Sequence, residues 1–183
     1  YLMPIVTIRS PYTWFPRMCT NGYTARWQHG RSRAQGCPNL LTPDGEWNQV
    51  STRYANDRGE THQSLAHLWN DWYNDYIQDA DYPFVVVRIE DLTYYAKETT
   101  TAICECAGGR IRTDQPFQYV IDSAKADSRG HDSSVGFFEA WMKHIAAAEP
   151  QAGLQDDEYQ ASIRALDKNL MEFFAYKYPP KKA

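Results

Sequence analysis

The sequence lacks the features of a membrane-spanning or a nucleic-acid-binding protein. No stretch approaches the roughly 18 apolar residues that a membrane-spanning helix needs. The 19 Lys and Arg residues are outnumbered by 23 Asp and Glu residues, which gives a formal net charge of −4. Because a general nucleic-acid binder needs a basic surface, we expect no nucleic-acid partner, and we expect no membrane contact within this chain. A local basic pocket for one small anion is compatible with this composition.

Cysteine is scarce, and its spacing differs from that of zinc sites. The four cysteines are Cys19, Cys37, Cys104 and Cys106, and no two of them form a C-x-x-C pair. Cys104 and Cys106 lie two residues apart on a predicted helix, so their side chains face different directions. We therefore expect no metal site, and we expect the cysteines to be buried free thiols.

The chain does contain enough apolar material for one folded domain. Its 183 residues are 43% hydrophobic and 14% aromatic. This content suits a single domain with a sizeable core and argues against disorder over most of the chain. We expect the domain to span 1–178, followed by a frayed basic tail over 179–183.

Two short apolar runs predict the central strands of an α/β fold. Ile5–Ile8 and Phe84–Ile89 are short, largely apolar runs, which is typical of buried parallel strands. A segment with helical periodicity follows each run. Strand, helix, strand, helix is the α/β signature, and right-handed crossovers are the usual connection. We therefore predict a partial parallel sheet flanked by helices.

The remaining sequence is predicted to be mainly helical, apart from one long insertion. The predicted helices span 11–21, 62–77, 91–107, 135–148 and 156–176. The stretch over about 22–61 is rich in Gly, Asn, Arg and Pro, and we interpret it as an irregular insertion with a short strand or two. A further short strand over 117–121 is an open alternative to a loop. The apolar stripe of 62–77 favours a core-facing helix over an aromatic substrate wall.

An arginine ends the first apolar run. Ser10 and Pro11 follow Arg9 at once, and these residues suit the cap and the first turn of a helix. Ligands of open α/β sheets bind outside the carboxyl ends of strands, and a guanidinium can pair with two oxygens of a phosphate. The other interpretation is an ion pair with a nearby carboxylate. This stretch alone leaves both interpretations open.

Together with three further segments, this stretch resembles the PAPS-dependent sulfotransferases, where PAPS is 3′-phosphoadenosine 5′-phosphosulfate. Arg9, Ser10 and Pro11 resemble the Arg-Asp-Pro segment of that family. Val85–Leu92 resembles the family's strand that ends in Arg-Tyr/Phe-Glu-Asp-Leu. Ser123–Gly130 resembles its basic, glycine-containing loop. Leu166–Tyr176 resembles its last helix. The order and spacing of these segments carry the resemblance.

The resemblance implies a three-layer architecture of the P-loop NTPase type and PAPS as the sulfuryl donor. It implies that Arg9 binds the 3′-phosphate of the donor and that a loop with Lys125, Arg129 and Gly130 folds over this phosphate. An ordinary solvated loop is the alternative for Lys125. Arg17 stands where the family has a serine, and it is either a second phosphate contact or a solvated helix residue.

One element of that family is missing from this chain. No G-x-x-x-x-G-K-[ST] pattern occurs, and no lysine follows a glycine. Backbone N–H groups of such a loop cradle phosphate oxygens. We expect the loop to lie upstream of Tyr1, with any targeting segment, and we expect this chain to be inactive alone. No catalytic base is identified, because Arg88, Glu90 and Asp91 suit an ion pair and a helix cap.

We therefore interpret the chain as a sulfotransferase-like domain. The parent protein would move a sulfuryl group from PAPS to a hydroxyl or amine of a small molecule or carbohydrate. The alternative is a non-catalytic relative that uses the same scaffold for nucleotide binding or assembly. We expect the insertion over 22–61 to specify the acceptor. The resemblance implies the Golgi lumen or the cytoplasm as the compartment.

Overall fold

The computed structural model describes residues 3–20, 22–29, 38–53, 59–119, 136–146 and 154–178. Contacts within the chain define two compact units. The first unit combines Tyr1–Arg9 with Tyr82–Glu149, and the second combines Ser10–Asp81 with Pro150–Ala183. A single domain over 1–178 stays a prediction. None of the helices in the described ranges is both long and apolar enough to cross a membrane.

Two parallel strands form the sheet of the first unit. Strand β1 (Ile5–Ile8) pairs with a later strand, Val85–Arg88, in parallel and in register along its whole length. Both predicted strands and their parallel pairing are confirmed, so the fold is α/β. Val6 and Ile8 are buried, whereas Ile5 is 49% exposed. One face of β1 is therefore covered and the other reaches solvent.

The second of these strands leads directly into two helices, Ile89–Tyr94 and Ala96–Cys106. The guanidinium of Arg88 pairs with both carboxylate oxygens of Asp91, with Nε to Oδ2 and Nη2 to Oδ1 each at 2.7 Å. The predicted ion pair is confirmed. The predicted cap at Asp91 is wrong, because the helix begins at residue 89 and Asp91 lies inside it.

Aromatic side chains pack against one another in the described part of the first unit. The helix Phe137–Ala146 lies within the predicted 135–148 segment. The ring of Tyr119 lies 5.0 Å from Phe117 and 5.1 Å from Phe137, measured between ring centroids. Residues 117–119 form no strand, and residues 120–121 of that predicted strand lie outside the described residues.

The second unit begins with a helix and a small antiparallel sheet. Helix α1 (Pro11–Thr20) confirms the predicted helix after Pro11. Strands β2 (Arg26–Trp27), β3 (Val50–Thr52) and β4 (Glu60–His62) form the sheet, with β3 in the middle. The described part of the predicted insertion over 22–61 therefore holds β2, β3 and the start of β4, where a short strand or two was predicted.

Helix α2 (Leu65–Asn74) supplies the centre of the second unit. Ser64 caps it, since its hydroxyl oxygen accepts hydrogen bonds from the backbone N–H groups of Ala66 at 3.2 Å and His67 at 3.5 Å. A π-helical turn, Asp75–Asp79, follows α2. Most of the predicted apolar stripe is buried, as Leu65, Leu68, Trp69 and Tyr73 show.

The predicted single helix over 156–176 is wrong. The chain forms two helices there, Asp156–Ala165 and Lys168–Phe173. The carboxylate of Asp167 accepts hydrogen bonds from the backbone N–H groups of Asn169 at 2.7 Å and Leu170 at 3.1 Å. This cap satisfies N–H groups at the start of the second helix, so the chain turns between the two helices.

Asn70 of α2 holds this turn in place. Its Nδ2 donates to the carbonyl of Ala165 at 2.7 Å, and its Oδ1 accepts from the backbone N–H of Asp167 at 3.0 Å. Asn70 is only 9% exposed. One side chain thus satisfies two backbone groups that the turn removes from the helical hydrogen-bond pattern.

We expect Asn70→Ala to lower the free energy of unfolding by about 2 kcal/mol, because it leaves both backbone groups without their partner. Urea unfolding followed by circular dichroism measures this change. Asn74→Ala, in the last turn of the same helix, is the matched control and should cost less than about 1 kcal/mol. Equal losses for the two variants would show that Asn70 does not hold the turn.

Candidate functional site

Arg9 lies immediately after the carboxyl end of β1. It is half-buried, and α1 begins two residues later in the sequence. The carbonyl of Ser10 accepts hydrogen bonds from the backbone N–H groups of Thr13 at 3.1 Å and Trp14 at 2.9 Å, which starts the helix. The predicted strand, arginine and helix start are therefore confirmed in their order. Phosphate binding by Arg9 stays a prediction.

The other predicted phosphate contacts lie either in the second unit or outside the described residues. Arg17 is exposed in the last turn of α1, in the second unit, whereas Arg9 belongs to the first unit. Lys125, Arg129 and Gly130 lie outside the described residues. Convergence of these residues on one anion stays a prediction.

A buried carboxylate that sequence reasoning missed lies beside a polar cavity of the second unit. Glu158 is 5% exposed, and its Oε2 and Oε1 accept from the backbone N–H of Leu40 at 2.8 and 3.1 Å. Burial raises the pKa of Glu158 to about 7, against the lowering effect of hydrogen bonds from Leu40 and Leu41. The cavity has a volume of about 620 Å³, and Asn48 is another of the polar side chains that line it.

Glu158 has a structural role, because it holds a loop in place. Its partner Leu40 is 118 residues away in sequence, so the carboxylate fixes the loop around 38–41 to the start of the helix Asp156–Ala165. Nothing local in the Asp156, Asp157, Glu158 run distinguishes the buried acid from its neighbours. A carboxyl group that titrates near neutral pH is nevertheless a feature of reactive sites as well as of structural ones.

Two histidines of the second unit are engaged in structural contacts. His62 Nδ1 lies 2.6 Å from Asp71 Oδ2, and His67 Nδ1 lies 2.8 Å from the hydroxyl oxygen of Ser64. Ser64 is fully buried and caps α2, so its hydroxyl is not accessible as a nucleophile. Burial lowers the pKa of His67. Within the described ranges, no group of three His, Cys, Asp or Glu side chains could hold a metal ion.

The cysteines differ from the expectation of buried free thiols. Cys19, in the penultimate position of α1, is disulfide-bonded. Cys104 is a half-buried free thiol and Cys106 is an exposed free thiol. The prediction failed for Cys19 because a disulfide depends on which residues meet in three dimensions, and sequence spacing does not report this.

No family model, curated protein or solved structure matches this chain. The sulfotransferase resemblance therefore rests on the quoted sequence segments, and the α/β fold on the parallel strand pair.

Proposed function

We propose that this chain is a sulfotransferase-like domain that binds the 3′-phosphate of its PAPS donor through Arg9. The observation that supports this most is the position of Arg9 at the carboxyl end of a parallel strand, just before a helix. Binding sites of open α/β sheets lie at such strand ends. Arg9 is half-buried as a residue, and its planar guanidinium can make charge-assisted hydrogen bonds to phosphate.

The donor supplies the sulfuryl group, and residues of this chain would bind and orient it. Arg9 would fix the 3′-phosphate by two parallel N–H donors, which sets the direction of the nucleotide. Arg17, Lys125, Arg129 and Gly130 are the further contacts that the resemblance implies. The acceptor would be a hydroxyl or amine of a small molecule or carbohydrate. The three-layer P-loop architecture belongs to the same proposal.

A non-catalytic nucleotide-binding relative is the second candidate. The engagement of His62 with Asp71 and of His67 with Ser64 favours it, because these two histidines are not placed as accessible general bases. Binding of the nucleotide through Arg9 is common to both candidates. Sulfuryl transfer distinguishes them.

The disulfide at Cys19 favours an oxidising compartment, where disulfides form and persist. Of the two compartments that the resemblance implies, this supports the Golgi lumen. Alkylation of unreduced protein followed by peptide mass spectrometry would identify the bonded cysteines. Labelling of Cys19 without prior reduction would contradict this part of the proposal.

We expect Arg9→Ala to weaken binding of 3′-phosphoadenosine 5′-phosphate about ten-fold or more, because a hydrogen bond to a charged group contributes about 1.5–3 kcal/mol. Isothermal titration calorimetry measures this change. Arg9→Lys keeps the charge but loses the paired donors, and should give an intermediate affinity.

Two controls separate the role of Arg9 from a general effect of charge. Arg53→Ala removes an equal charge from an exposed position and should leave the affinity unchanged. Adenosine 5′-phosphate lacks the 3′-phosphate, so Arg9→Ala should not alter its binding. Equal affinity of wild type and Arg9→Ala for the bisphosphate, or no binding by the wild type, would refute the proposal.

A further inference from the structure

The polar cavity beside Glu158 lies within the second unit and has a volume of about 620 Å³. This volume falls within the range of about 300–1,000 Å³ that small-molecule pockets occupy. The described lining comes from His29, from the segment at 39–48 and from residues 155–158 at the start of the helix Asp156–Ala165. The cavity therefore has the size and the position of a ligand site that belongs to this unit alone.

The described lining of the polar cavity is acidic. Asp157 and Glu158 are its carboxylates, and neither Lys nor Arg occurs among the described residues that line it. Glu158 is 5% exposed, and the backbone N–H of Leu40, from which it accepts hydrogen bonds, carries no net charge. A buried charge is costly unless an opposite charge accompanies it. The lining therefore favours a cationic ligand over a neutral or an anionic one.

The contact with Leu40 indicates which cation suits Glu158. Its backbone N–H donates to Oε2 at 2.8 Å and to Oε1 at 3.1 Å, so this N–H lies on the side of the carboxylate that both oxygens share. A guanidinium that forms two parallel hydrogen bonds needs that same side and would displace Leu40. An ammonium group is a compact donor that can approach one oxygen from another direction. The geometry therefore favours an ammonium over a guanidinium.

The two carboxylates of the lining lie at different depths. Glu158 is buried, whereas Asp157 is exposed. Leu41 and Pro43 also line the cavity and add apolar surface, against which methylene groups can pack. A short alkyl chain with an ammonium group at each end matches this combination of a deep charge, a shallow charge and apolar surface.

We propose that the polar cavity binds a small aliphatic diamine in its doubly protonated form, with one ammonium group at the carboxylate of Glu158 and the other at that of Asp157. The amine is bound and is not chemically changed. The proposal depends neither on Arg9 nor on a bound nucleotide.

Binding of the diamine is coupled to the ionisation of Glu158. Burial raises the pKa of Glu158 to about 7, so the group is mostly neutral at pH 6 and mostly ionised at pH 8. A diamine keeps both charges in this range, because alkylammonium groups titrate at about pH 10. Only the ionised carboxylate attracts the ammonium, so we expect the affinity to be about ten-fold higher at pH 8 than at pH 6. His29 and Asp157 are the other titratable side chains of the described lining.

The test is calorimetry of the full chain with 1,4-diaminobutane at pH 8 and pH 6, without nucleotide. We expect saturable binding at pH 8 and at least ten-fold weaker binding of 1,4-butanediol, which has the same chain length and no charge. Glu158→Gln should weaken binding of the diamine at pH 8 about ten-fold and remove most of its pH dependence, because glutamine keeps an acceptor for Leu40 but has no charge. His29→Gln should retain the pH dependence.

Asp157→Asn tests the second contact, with n-butylamine as a probe that has only one ammonium group. It should weaken binding of the diamine about three-fold, because an exposed ion pair contributes little, and should leave n-butylamine binding unchanged. Asp156→Asn is the matched control, since Asp156 is exposed in the same helical turn and is not among the described residues of the lining. It should leave the binding of both amines unchanged.

Four results would overturn the proposal. They are no binding of 1,4-diaminobutane, equal binding of 1,4-butanediol, wild-type affinity in Glu158→Gln, and tighter binding of n-butylguanidine than of n-butylamine. If Glu158→Gln does not fold, an equal affinity of the wild type for the diamine at pH 6 and pH 8 would overturn it instead.

Discussion

Replacing Trp69 by alanine is expected to lower the free energy of unfolding by about 3–5 kcal/mol, as for other buried tryptophans. Trp69 is 1% exposed, and its ring centroid lies 5.1 Å from that of Tyr73 and 6.1 Å from that of Phe174. The edge-to-face contact with Phe174 joins α2 to the end of the helix Lys168–Phe173. Alanine would remove both ring contacts and leave a cavity in the space that the indole ring of Trp69 fills.

Urea unfolding followed by far-ultraviolet circular dichroism measures this loss without relying on tryptophan fluorescence. Trp72→Ala provides a matched control three residues along the same helix, where the ring is 41% exposed. Its cost should be clearly smaller than that of Trp69→Ala, because a half-exposed ring loses less buried surface when it is removed. Similar losses for Trp69→Ala and Trp72→Ala would show that the core is not centred on Trp69.

The stability of the protein is expected to fall as the pH rises from about 4.5 to about 7 through the titration of Glu158. Burial disfavours the charged carboxylate and raises the pKa of Glu158 from its ordinary value of 4.5 to about 7 in the folded protein. Between these values the unfolded chain releases the proton while the folded chain keeps it. The contribution is fully present below pH 4.5 and is lost above pH 7, by an amount on the order of 3 kcal/mol.

The difference between wild type and Glu158→Gln isolates this effect. Glutamine keeps an oxygen that can accept from the N–H of Leu40 but does not titrate. The lowered pKa of His67 acts in the opposite direction, since it makes the folded state more stable as the pH rises towards 6.5, and it is common to both proteins. Unfolding free energies measured at pH 4.5, 6 and 7.5 should show the variant becoming more stable relative to wild type as the pH rises. A constant difference across this range would contradict the assignment.

The two parallel strands were predictable because their signal is local. Ile5–Ile8 and Val85–Arg88 lie in short, largely apolar runs that each lead to an arginine, and such runs are typical of parallel strands. The Arg88 and Asp91 pair was predictable for the same reason, because its partners lie only three positions apart in the sequence. The position of Arg9 at a strand end followed from the first run.

The features that sequence reasoning missed depend on distant partners. The apolar periodicity continues through Leu166 and Leu170, so it predicted one helix where the cap at Asp167 and the contact from Asn70 create a turn. Glu158 looks like an ordinary first-turn acid until Leu40 is seen beside it. The apolar stripe of α2 is also not wholly buried in the core. Part of it borders a cavity of about 410 Å³ that α1 and the 22–25 segment also line.

The alternation of the two units along the chain has a consequence for synthesis on the ribosome. Residues 10–81 are made early, but the helices that complete their unit come after residue 153. At about 5–20 residues per second, the nascent chain needs several seconds to extend from residue 82 to residue 153. During that interval the aromatic face around Trp69 has no Phe174 to cover it. The nascent protein should therefore be a substrate for ribosome-associated chaperones until its last helices emerge.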